Sequence, residues 1–180
     1  MKKELASFQL DPLDTKFVVA KPRQEVDELK LLHLEREGRI ISTRKRDGYC
    51  GLATITGPRR TARLYTRGIE DTSTRFPHII EALRDSAIPE GSLLVGEMHF
   101  RDKDSDVERL DIFSRFAKSA PARAVALQGQ IGLAEFMVFS PLSVNNRVVA
   151  DLPFQKRYDM VSEWFDRRRG VTSITQMHEL

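Results

Sequence analysis

Cysteine is nearly missing from this sequence: Cys50 is the only one in 180 residues. An internal disulfide is therefore excluded, and no thiolate cluster is available to zinc. The four histidines, His33, His78, His99 and His178, stand apart, without the paired spacings that bring two imidazoles to one metal. No apolar run approaches the roughly 20 residues that a bilayer span requires. The first ten residues are charged and then mixed, which is not the pattern of a secretory leader. Repeats and low-complexity tracts are also lacking. These absences lead to the expectation of a reducing, intracellular setting with no membrane partner.

What is present suits an ordinary folded domain. Apolar residues make up 41% and charged residues 31% of a chain long enough for one domain with a proper core. The net charge is only +3, from 29 Lys and Arg against 26 Asp and Glu. Nine basic residues, however, fall between positions 39 and 75, among them Arg44, Lys45, Arg46, Arg63 and Arg67. Such clustering suits a phosphate-bearing partner, although a solvated charged face is the plainer reading of any single arginine.

Periodicity gives a coarse layout. Residues 26–36 carry Val26, Leu29 and Leu32 at helical spacing and end before Gly38. Strand-like runs follow at 39–45, 52–56 and 61–66, the last two separated by the turn pair Gly57-Pro58. Pro77 opens a short helix through Ile79, Ile80 and Leu83, since proline suits a first helical turn. A strongly apolar strand is predicted at 92–100, then a polar loop at 101–108, helices at 110–118 and 121–127, and a buried strand at 133–139. An amphipathic helix over 152–168 carries Met160, Val161, Trp164 and Phe165, and residues 171–175 begin another strand. The expected class is α+β, with mainly antiparallel sheets flanked by helices, the sheet incomplete at the C-terminus.

Chemistry concentrates at Lys45-Arg46-Asp47-Gly48. In an extended segment side chains two apart share a face, so Lys45 and Asp47 point together, while Gly48 lets the chain turn. An ordinary lysine is neutral in only about one molecule in 2,500 at pH 7. A nucleophilic one needs cations nearby, for which Arg44, Arg46, Arg67 and a nucleotide-bound metal are available. Read alone, the tetrapeptide is equally an exposed turn before a hairpin. Glu97 is an acid within an apolar strand and needs a partner, whether a ligand or a structural salt bridge. Phe139 in its apolar strand is read either as core or as a stacking surface.

Further segments accompany that motif. Arg63 to Arg67 leads into Gly68-Ile69-Glu70-Asp71-Thr72 and then Arg75-Phe76-Pro77; Leu94-Val95-Gly96-Glu97-Met98 and Asp111-Ile112-Phe113-Ser114 come next. Phe136-Met137-Val138-Phe139 and Leu152-Pro153-Phe154-Gln155-Lys156-Arg157 complete the series. In this order, from about residue 15 onward, the set resembles the nucleotidyltransferase (adenylation) domain of ATP-dependent DNA ligases. The resemblance implies an ATP-grasp-like core in which Lys45 attacks the α-phosphorus of ATP and retains AMP as a phosphoramidate. It implies that Asp47 orients Lys45, that Arg67 holds ribose or phosphate through its forked donors, and that Arg44 lies beside the nucleotide. Glu97 would meet the ribose hydroxyl or the metal, taken as Mg2+. Phe139 would stack on adenine, a contact worth about 1–3 kcal/mol in comparable pairs. ATP rather than NAD is expected because no nicotinamide-handling module precedes Lys45.

Three positions depart from the family's pattern. Cys50 stands where an arginine is usual, Thr43 where an acid is common, and Ser140 where an aspartate typically follows the aromatic. The later acidic strand, the Lys-x-Lys motif and the oligonucleotide-binding (OB-fold) barrel of the family have no counterpart here. Residues 1–180 are thus expected to form a partial adenylation domain, weak or inactive alone, whose missing parts a longer protein would supply. Nicked double-stranded DNA is the expected partner. The alternatives are an RNA ligase or RNA-capping nucleotidyltransferase, and a non-catalytic nucleic-acid-binding fragment.

Overall fold

The computed structural model describes residues 27–40, 45–166 and 174–176. It begins with helix α1 (Glu28–Arg36), where the Asp27 carboxylate caps the helix by accepting the Lys30 N–H at 2.9 Å. Strand β1 (Tyr49–Thr56) then pairs antiparallel with β2 (Thr61–Thr66), and Gly57 takes a φ of +68° at the turn, where a side chain would be strained. A single 3-10 turn (Ser73–Arg75) leads into α2 (Pro77–Arg84), with proline in the first turn as predicted. Strand β3 (Ser92–His99) returns alongside β1, followed by α3 (Leu110–Lys118) and α4 (Pro121–Ile131). Strand β4 (Glu135–Val144) pairs with β3, and a short β5 (Arg147–Val148) pairs with β4. Helix α5 (Phe154–Asp166) and a parallel strand β6 (Ile174–Gln176), set against β4, complete the described chain. The strand order is β2-β1-β3-β4-β5, with β6 off β4, so the class is the expected mainly antiparallel α+β.

Period-two alternation divides the sheet into two faces. Ala53, Ile55, Leu94, Met98, Phe136 and Val138 meet Ile79, Leu83, Phe113, Phe116 and Trp164 from the helices in the main core. Each fully buried side chain of this size stabilises the fold by roughly 1.5–3 kcal/mol. The opposite face carries a smaller cluster, with Leu52, Tyr65, Ile69, Leu93, Val95 and Leu142. Because both faces are apolar over part of their length, residues 93–95 read as a continuous hydrophobic run.

Strand β4 differs from expectation. It was predicted at 133–139 but runs to Val144, through Pro141, and the exposed Leu133 lies outside it. Two register shifts against β3 explain this. One leaves Phe139 as an extra residue between the pairs Val138↔Gly96 and Ser140↔Val95; the other does the same for Leu142. Such bulges interrupt the ladder locally and accommodate a proline that regular pairing would reject. The predicted strand at 39–45 is not formed at Arg39, Ile40 or Lys45, and positions 41–44 lie outside the described residues. Strand β1 instead starts at Tyr49, earlier than expected, because Tyr49, Cys50 and Gly51 continue the pairing with β3.

Candidate active site

Just before β1, residues Lys45 to Gly48 form a loop laid on the end of β3. Gly48 serves a different purpose from the turn expected of it: its φ is not positive, but a Cβ there would lie 2.1 Å from the Met98 carbonyl oxygen. The residue is small because the backbone touches β3. Lys45 and Asp47 share a face as predicted, with Nζ donating to the Asp47 Oδ1 at 3.2 Å; Lys45 is 88% exposed. Arg46 turns inward instead. Its guanidinium donates to the Glu108 Oε1 at 2.6 Å, and the Glu108 Oε2 accepts the Asp47 backbone N–H at 2.8 Å. Arg46 is therefore not the cation facing Lys45 that the sequence suggested.

Beneath this loop lies the less apolar end of the second sheet face. Cys50 pairs with Glu97 across β1 and β3, and the Arg67 N–H donates to the Cys50 carbonyl at 3.2 Å. Residues directly opposite one another share a face, so Cys50 and Glu97 lie together, and Arg67, just past the end of β2, adjoins Cys50. The electrostatics agree. Burial pushes the Cys50 thiol up, the Glu97 charge adds to this, and Arg67 opposes it. Burial also raises the Glu97 carboxyl to about 7; Lys45 and the Gly48 N–H pull it down, while Asp47 and Glu108 push it up. Of the expected residues, Lys45, Asp47, Glu97 and Arg67 thus converge. Phe139 sits one strand away, half-buried at the β4 bulge and in neither apolar cluster. Arg44 and Thr43 lie outside the described residues.

A polar group next to these residues was not anticipated. His99 is buried and faces Glu135, with Nε2 3.9 Å from Oε2. Desolvation, aided by the Arg46 charge, takes its imidazole down to about 4, so it is neutral at pH 7. Burial would raise the Glu108 carboxyl, but the Arg46 and Asp47 bonds hold it below its usual range. No sequence spacing marks these contacts, since Arg46 and Glu108 are 62 positions apart. Elsewhere the motif segments pack as a unit: Tyr49 meets Phe113 edge to face at 5.2 Å and its hydroxyl hydrogen-bonds the Ser114 Oγ at 2.9 Å. Ser140, replacing the usual acid, accepts a close hydrogen bond from the Arg157 guanidinium of α5.

The raised Glu97 pKa has a consequence for stability. A carboxyl that titrates at about 7 when folded and near 4.5 when unfolded stabilises the fold below pH 4.5, and this is lost as pH rises through 7. Replacing Glu97 by Gln removes the titration. The melting temperature of Glu97→Gln is therefore expected to gain on wild type between pH 5 and pH 8. Parallel melting curves for the two proteins across that range would show that Glu97 is not desolvated.

No curated protein matches the sequence. Among solved structures, the ligase domain from M. tuberculosis LigD has a TM-score of 0.54 and 21% identity, covering 77% of this chain and 39% of that one. Mycobacterial DNA ligase D complexed with ATP and MES has a TM-score of 0.53 and 22% identity, covering 78% and 40%. At such identity the likeness concerns the fold alone, and this chain spans about two fifths of the chains compared. No helix among the described residues is long and apolar enough to cross a membrane. The ATP dependent DNA ligase domain family matches residues 19–180, a span that includes the lysine loop, the Gly-Glu strand and the aromatic strand together, and the chain belongs to that family.

Proposed function

We propose that this chain is the nucleotide-binding part of an ATP-dependent DNA ligase, with Lys45 as the residue that carries AMP. The observation that supports this most is the placement of Lys45 at the exposed end of a loop fixed to β3, beside the half-buried Glu97. In the proposed reaction the neutral Lys45 Nζ attacks the α-phosphorus. A nitrogen–phosphorus bond forms, the bond to pyrophosphate breaks, and lysyl-AMP remains. A 5′-phosphate oxygen at a DNA nick then takes AMP from Lys45, and the 3′-hydroxyl finally displaces it.

The other side chains fit supporting parts. Asp47 lies 3.2 Å from the Lys45 Nζ and offers it an acceptor before reaction. Arg67, exposed at the end of β2, offers a fork of donors to ribose or phosphate. Phe139 offers adenine a ring not used by the core. Among the described residues, no group of three or more His, Cys, Asp or Glu forms a metal cage. A magnesium ion shared with nucleotide phosphates needs only one or two protein carboxylates, however, and Glu97 with Asp47 nearby fits that need. Bound there, magnesium would offset charge on the triphosphate. We assign sealing of nicked double-stranded DNA to an intracellular protein or assembly in which residues 1–180, as part of the adenylation domain, act with an OB-fold domain.

Intact mass tests the assignment. After hours with ATP and magnesium the chain is expected to gain one AMP, mapped to Lys45, slowly if it acts alone. Nicked DNA should then remove the adduct faster than nicked RNA; the reverse order would favour an RNA ligase. An adduct elsewhere, or none even with the OB-fold domain supplied, would overturn the role of Lys45.

A further inference from the structure

We propose that Glu108 is a positioning residue for Lys45, acting through the backbone of the lysine loop; this rests on the role proposed above for Lys45. The loop has an outer and an inner half. On the outside, the Lys45–Asp47 ion pair is 88% and 67% exposed, and an exposed pair is too weak to fix a long side chain in one direction. On the inside, Arg46 and Glu108 are 16% and 10% exposed and paired at 2.6 Å. The direction of Lys45 is therefore set by its backbone. One carboxylate holds that backbone directly, Glu108 at the Asp47 N–H.

Glu108 is well placed to bear this load. The 101–108 loop folds back on itself, with an antiparallel bridge between Arg101 and Glu108 and the Asp102 N–H donating to the Val107 carbonyl at 2.9 Å. The Arg109 N–H bonds the Phe100 carbonyl at 3.0 Å, fixing the return to the end of β3. Both oxygens of Glu108 are used, one by a side chain and one by the loop backbone. Arg46 thus keeps Glu108 charged and oriented, and Glu108 keeps Asp47 and its neighbour Lys45 in place. Removing the carboxylate also strands a mostly buried guanidinium, which would push the loop outward.

The test is the single-turnover rate of lysyl-AMP formation on the full chain across a range of ATP concentrations with magnesium. In Glu108→Ala the maximal rate is expected to fall about 10- to 100-fold, as displacement of an attacking atom by an ångström would do. Half-saturating ATP should stay within about threefold, because Glu108 meets the loop only at the Arg46 guanidinium and the Asp47 backbone N–H, and at no side chain proposed to touch ATP. Glu108→Gln keeps an oxygen for the Asp47 N–H and should recover part of the rate. The exchanged pair Arg46→Glu with Glu108→Arg restores opposite charges but leaves that N–H without an acceptor, since arginine only donates. It should be as slow as Glu108→Ala, with faster amide exchange at Asp47. A wild-type rate in Glu108→Ala or in the exchanged pair overturns the proposal; if the exchanged pair fails to fold, the Ala and Gln variants decide. A wild-type chain that gains no AMP even with the OB-fold domain supplied would defeat the reading of Lys45, and this one with it.

Discussion

Lys45→Arg is expected to take up no AMP, a fall on the order of 10³-fold or more in covalent labelling, which is the usual scale for loss of a nucleophile. Arginine keeps the positive charge and a similar length, and it can still pair with Asp47, so the loop and the fold should persist. What it cannot do is lose a proton at neutral pH, since its guanidinium remains charged above pH 12. The substitution thus separates attraction of a triphosphate from attack on it. A filter-binding or calorimetric measurement should show nucleotide bound within a few-fold of wild type, while the intact mass stays unchanged. Labelling of Lys45→Arg at the wild-type rate would mean that another group carries AMP.

Gly48→Ala is expected to lower the rate of Lys45 labelling by about 10²-fold while the melting temperature changes little. The added methyl would lie 2.1 Å from the Met98 carbonyl oxygen and 3.0 Å from the Glu97 Cγ. Backbone cannot yield there without opening β3, so the loop must lift, and Lys45 moves with it. Gly48 belongs to neither apolar cluster, which confines the damage to the loop. A variant that labels like wild type would show that the loop does not rest on β3 as described. Equal loss of labelling and of folding would place Gly48 among the core-forming residues instead.

Much of the fold was legible because apolar spacing is local. Helices α2, α3 and α4 begin where Pro77, Leu110 and Pro121 predict, and β2 has the predicted bounds. The predicted strand at 133–139 stops short of Val144 because two bulges, which no local spacing shows, carry β4 on through Pro141. Lys45 was placed on a strand because nothing local shows that Gly48 is pressed against Met98. The grouping of Lys45, Asp47, Glu97 and Arg67 came from the resemblance; spacing along the chain gave only the pairing of Lys45 with Asp47.

The arginines were the least legible part. Clustered between 39 and 75, they suggested a surface for phosphates, yet several serve the fold. Arg60 donates to the carbonyls of Arg84, Ser86 and Ile88 at the end of α2. Arg63 pairs with Asp71 at 2.8 Å, and Arg75 joins the Ser119 carbonyl and Glu70. With the Arg46–Glu108 pair included, partners lie up to 62 positions away, beyond the reach of any pattern in the sequence. The arginine cluster therefore gives little support to a purely nucleic-acid-binding fragment.

The extra residue at Phe139 reverses parity along β4. Even-numbered positions up to Val138 face the helices, whereas Ser140 and Leu142 share the opposite side with Val95 and Leu93. A strict alternation carried through this stretch would therefore put Ser140 and Leu142 against the helices, the reverse of where they lie.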